Sequence, residues 1–155
     1  MILSRILKDR EYINVATADA SGRPNAAPKF ILKYEKSFIY LVDFITATTV
    51  ANLRQNPRVS LAFMDLDNLE GYRLNGSVEI VEEGADYERL AEEVRQKLMK
   101  LSVDRIIEAG RTGKKDSHFE IEFPDRFLVY RIAIEDVSRI GAGGDLYREG
   151  IETVL

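Results

Sequence analysis

The chain has 155 residues, 45% hydrophobic and 31% charged, the balance of one globular domain with a proper core. Lys+Arg number 22 against 26 Asp+Glu, and a net charge of −4 disfavours nucleic acid, whose binding rests on cations meeting phosphates. Cysteine is absent, which excludes disulfides, thiolate nucleophiles and Cys-ligated metal centres and fits a reducing compartment.

The opening MILSRILKDR places Ile2, Leu3, Ile6 and Leu7 on one helical face, a short amphipathic cap over residues 2–9. Charge interrupts its apolar run within a few positions, unlike a signal peptide. No run approaches the roughly 20 apolar residues of a membrane span, so the expectation is a cytoplasmic protein. YINVATADA reads as a strand, and DASGRP as a hairpin-type turn. NAAPKFILKY and SFIYLVDF are the next two strands, joined by the polar EKS. TATTVANLRQ is helical, with threonines available as N-caps, and Asn56-Pro57 stops it because proline disfavours helix at the preceding residue. RVSLAFMDL and GYRLNGSVEIVEE supply two further strands.

Over residues 85–109 Tyr87, Leu90, Ala91, Val94, Leu98 and Leu101 form a helix-period stripe among charged residues. The expectation for this helical insertion is outer packing against the strands rather than a lid. After the loop AGRTGKKDS, the segments HFEIEF and RFLVYRIAIEDVSRI, around the turn Pro124-Asp125, read as the last strands. The tail from Gly141 is loosely patterned, and no internal repeat or linker divides residues 1–155. Many short strands and few helices, without regular strand–helix alternation, argue for a mainly β (α+β) antiparallel barrel or sandwich and against a doubly wound sheet.

Few motifs carry chemistry. Gly141-Ala142-Gly143-Gly144 resembles part of a dinucleotide fingerprint but lacks the strand and helix that motif requires, and reads as a turn. His118 is the sole histidine, and in an extended segment its neighbour Ser117 points the other way. No metal site and no hydrolytic triad is therefore expected. The start of the TATTVANLRQ helix has two readings. Thr46, Thr48 and Thr49 either cap it or join its unpaired N–H groups in holding a phosphate.

VATADASGRPNAAPKFIL, FIYLVDF, ANLRQNPRVSLAF and LNGSVEIVE, in that order and spacing, resemble the pyridoxamine 5'-phosphate oxidase-like family, the FMN-binding split barrels. The resemblance runs from about Tyr12 to Ile80 and more faintly over Phe127 to Ile140. It implies a homodimer of six-stranded antiparallel split β-barrels with flanking helices and FMN at the subunit interface. Lys29 stands where the family often places a base reaching the phosphate, and Phe30, Ile31 and Leu32 would lie beside the ring system. Val42 and Asp43 fall at further flavin contacts, and Thr48 and Thr49 replace a basic pair common in the family. That leaves Lys29 and Arg73 as the implied countercharges, while Gly71 removes a glutamine contact that some members make.

The vitamin-phosphate substrate site of the oxidase itself has no counterpart here. The activity implied is an FMN-dependent oxidoreductase acting on a small organic substrate, in which the flavin carries the redox chemistry. The alternatives are a flavin-binding or electron-carrier protein without turnover, or a relative that holds a deazaflavin or haem. Haem is least favoured, since His118 is the only imidazole.

Overall fold

A computed structural model describes residues 2–44, 47–113 and 124–150. In chain order the elements are α1 (Ile2–Ile6), β1 (Tyr12–Ala18), β2 (Pro24–Glu35), β3 (Phe38–Asp43), α2 (Thr48–Gln55), β4 (Arg58–Asp65), β5 (Glu70–Val81), α3 (Gly84–Thr112), β6 (Leu128–Ile140) and β7 (Leu146–Gly150). The strands form one antiparallel sheet, β3-β2-β1-β4-β5-β6-β7, and β3 also pairs with β6, which closes six of them into a barrel. Closure rather than two stacked sheets resolves the barrel-or-sandwich expectation.

The edge of β6 is shared in sequence. Its residues 128–133 pair with β3, and its residues 136–140 pair with β7. The barrel wall therefore divides along β6, with β7 leading away from β3. A register shift at Asn75/Gly76 lets β5 follow this bend. Only glycine fits there, because a Cβ at Gly76 would collide with the carbonyl oxygen of Ala133.

Alternation sends Ile13, Val15, Ile31, Leu41, Leu61, Leu74, Ile132 and Ile134 inward, where α1 adds Leu3, the residue after it adds Leu7, and α2 adds Val50 and Leu53. A second apolar layer lies outside the barrel. There Leu90, Ala91, Val94 and Leu98 of α3 pack on Leu32, Tyr40, Val42, Phe127 and Val129. The helix ends at Gly113 in the left-handed region (φ 66°), a few residues beyond the expected 109. Past Leu98 it projects Met99, Val103, Ile106 and Ile107 into solvent.

Two expectations change. Thr48 and Thr49 do not cap α2: its N-cap is Ala47, with no side-chain hydrogen bond, and both threonines already lie within the helix, while Thr46 lies outside the described residues. The described part of the tail, residues 141–150, folds as a turn followed by β7. The expected strand HFEIEF and residue His118 lie outside the described residues. Among the described residues no helix is long and apolar enough to cross a membrane.

Candidate cofactor site

The outer face of the barrel is built from unusually short side chains. Ala16 of β1, Ala26 of β2, Ser60 and Ala62 of β4 and Gly71 of β5 floor a groove of about 570 Å³, and Ser138, Ile140, Leu146 and Arg148 of β6 and β7 form its far wall. The floor is close-fitting even so, since a Cβ at Gly71 would stand 3.3 Å from Met64 Sδ. A flat ligand can approach backbone here because so little projects from it. The charged side chains lining the groove are Arg73 and Arg148, and no carboxylate lines it among the described residues. Arg73 Nη2 donates to Ser138 Oγ at 3.3 Å.

The residues expected to touch a cofactor separate into several environments. Lys29 faces inward, with Nζ 2.8 Å from Asp43 Oδ1, and Asp43 is fully buried. Tyr130 donates its hydroxyl to the other oxygen of Asp43, and burial, then that carboxylate, push the phenol far upward. Lys29 is thus committed to a carboxylate within the protein. Ile31 points into the barrel core, whereas Phe30, Leu32 and Val42 lie beneath α3. The β2–β3 register shifts between Ile31 and Lys33, which leaves Leu32 as the extra residue of a bulge. Lys97 of α3 donates to the carbonyls of Ile31 and Leu32, at 2.6 and 3.1 Å, and its ammonium is pulled downward by burial.

At the start of α2 Thr48 is exposed and Thr49 is 3% exposed. Asn25 Nδ2 donates to Thr49 Oγ1 at 3.4 Å, and Asn52 Nδ2 to Thr17 Oγ1 at 3.1 Å. The first-turn N–H groups of α2 have no side-chain cap. The structure therefore brings Lys29 to Asp43, gathers Asn25 and Thr49 at the helix start, and places Arg73 on the outer groove. Reasoning from sequence missed Ser138, Arg148 and Lys97. The signal for Arg148 was DLYREG, where Leu146 and Arg148 alternate with Tyr147 after a glycine turn. Lys97 had none, since one more lysine on a charged helix looks like a solvated face.

The closed six-stranded antiparallel barrel with flanking helices and a small-residue groove on its outer sheet defines the split-barrel class of fold. The sequence model described as pyridoxamine 5'-phosphate oxidase matches residues 3–138. The chain belongs to that family.

A protein of Methanocaldococcus jannaschii is 31% identical over 93 residues, 58% of this chain, and the match spans 61% of that relative. Among solved structures, the chain is similar to a protein from Clostridium acetobutylicum related to general stress protein 26 of B. subtilis (TM-score 0.69, 17% identity, 98% of this chain and 94% of that one). It is also similar to an FMN-binding protein from Nostoc punctiforme (TM-score 0.55, 15% identity, 95% and 90%). An F420 reductase (TM-score 0.57, 17% identity, 87% and 94%) and a haem-binding protein from Mycobacterium smegmatis (TM-score 0.58, 18% identity, 92% and 53%) share the fold.

Proposed function

We propose that the chain binds FMN in the outer groove, as a homodimer in which a second copy covers that face, and acts as an oxidoreductase on a small organic substrate. The observation that carries this reading is the groove itself, with short side chains for a planar ring and two guanidiniums for an anion, in a chain whose overall charge is negative. Those features fit a flat, phosphorylated flavin. Exposed Met64, Ile140 and Leu146 (53%, 51% and 52%) on the same face support a covering copy. When bound, the flavin supplies hydride or electron transfer. The protein's part is to orient the ring against its floor and exclude water. Arg73 and the start of α2 at Thr48 and Thr49 act on the phosphate, while the paired Lys29 and Asp43 inside the barrel, Ile31 in its core and Phe30, Leu32 and Val42 beneath α3 hold β2 and β3 in place.

The same groove suits a deazaflavin, the second reading, favoured by likeness to the F420 reductase fold. The test is the purified protein's absorption spectrum, followed by fluorescence-quenching titrations with FMN, riboflavin and F420. A flavin spectrum and tighter FMN binding support the first reading. Saturable binding of F420 without FMN supports the second, and no binding of any of them overturns both. An NAD(P)H-oxidation assay on the loaded protein then separates an enzyme from a carrier.

A further inference from the structure

The register across β5, β6 and β7 sets Arg73 opposite Ser138, and Ser138 opposite Arg148. The three side chains share the face that lines the groove. Directly paired residues on neighbouring strands lie about 5 Å apart, so the two arginines stand about 10 Å apart with the serine between them. Ser138 is 3% exposed and forms the floor of this row, whereas both arginines are exposed.

The opposite face of the same three strands shows the contrast. There Arg139 sits between Tyr72 and Tyr147, and it is neutralised by Glu70 at 2.7 Å and stacked on the Tyr147 ring at 4.5 Å. Arg54, Arg58 and Arg131 likewise have carboxylate partners in Glu82, Glu135 and Glu79. Among the described residues Arg73 and Arg148 have none, although the chain carries more acids than bases. Two planar forks flanking a hydroxyl that can itself donate match the oxygens of a phosphate or carboxylate.

We propose that Arg73, Ser138 and Arg148 form an oxyanion-binding row. It receives the phosphate or carboxylate of the ligand held in the groove, with β7 supplying half of the charge. This rests on the reading of the groove as a cofactor site. The anion has two sources, the cofactor's own phosphate or an acidic group on the substrate. The row compensates for an α2 start that offers N–H groups and hydroxyls but no cation.

The test uses the full chain, the double variant Arg73→Gln/Arg148→Gln, and Arg58→Gln as a control on the same outer face beyond the groove. Both variants alter exposed side chains, and melting curves check that they fold. Titrations use FMN, riboflavin and inorganic phosphate, the last followed by calorimetry on both the flavin-free and the flavin-loaded protein. If the row holds the cofactor, the double variant loses at least tenfold in FMN affinity, keeps its riboflavin affinity, and the control matches the parent. If it holds the substrate's anion, FMN affinity is unchanged but phosphate binding to the loaded parent disappears in the double variant. A double variant equal to the parent with all three probes overturns the row. A parent that binds no flavin overturns only the cofactor reading, and phosphate binding to the flavin-free chain then decides the row by itself.

Discussion

Lys29 looked like a cation waiting for an anion at the mouth of a strand, and its partner turned out to be Asp43 on the neighbouring strand. The pair is almost fully buried, at 9% and 0% side-chain exposure, with the Tyr130 hydroxyl on the second oxygen of the carboxylate. Removing one member of such a pair strands a charge in a low-dielectric interior, at a typical cost of about 3–5 kcal/mol. Lys29→Met is expected to lower unfolding free energy by that order in urea titrations, and Lys29→Met/Asp43→Leu to recover much of it. Equal stability of Lys29→Met and the parent would contradict the buried pair.

Tyr72 gives a second residue-scale expectation. Burial, then its hydrogen bond to Glu70, push its phenol up to about 12. The folded value lies above the ordinary one of about 10, so the stabilisation is complete below pH 10 and is lost as pH rises from 10 towards 12. Tyr72→Phe should therefore show a shallower fall in Tm across that range than the parent. Tyr130, raised in the same direction, accounts for the part of the fall that remains.

At the scale of elements, the N-cap of α2 is Ala47, which has no side chain that can cap the first-turn N–H groups. The two threonines there are not equivalent. Thr49 is buried, so a glutamate in its place damages packing whatever the ligand, whereas Thr48 is exposed. Thr48→Glu is expected to leave the helix intact or favour it by roughly 0.3–1 kcal/mol through the macrodipole. If the start of α2 faces the cofactor's phosphate, the same variant binds FMN more weakly while riboflavin binding is unchanged. Unchanged FMN affinity would remove α2 from the site. In β5, Gly76→Ala presses a methyl group onto the backbone of β6 and should cost about 1–3 kcal/mol in denaturant titrations, with the split in the barrel as its local cause. On the other side, α3 is pinned to β2 by Lys97, which donates to the carbonyls of Ile31 and Leu32 beside the β2 bulge.

For the whole molecule, the outer sheet presents a small-residue floor beside exposed Met64, Ile140 and Leu146, an apolar face that a second copy would cover. Ala62→Arg places a long charged side chain on that floor without touching the barrel interior. Light scattering should report a dimer for the parent and a monomer for this variant, with flavin affinity lost together with the dimer. A monomeric parent that still binds FMN would show the groove to be complete in one chain.

The sequence alone determined β1 to β6, the α2 stop at Asn56-Pro57 and the α3 stripe, because each is written in local periodicity or in backbone chemistry confined to neighbouring residues. The family was legible for a related reason: strand order and spacing over Tyr12–Ile80 are a linear pattern. Which side chains share a surface was not legible. Lys29 and Asp43 meet through the β2–β3 register, and Arg73, Ser138 and Arg148 line up through two successive pairings across a split sheet. Register places every side chain on one face or the other, and it depends on contacts between residues far apart in the chain. The tertiary structure therefore decided that Lys29, an expected countercharge, pairs with Asp43 and that Arg148, which the sequence reading missed on a strand hidden in an unpatterned tail, stands beside the groove.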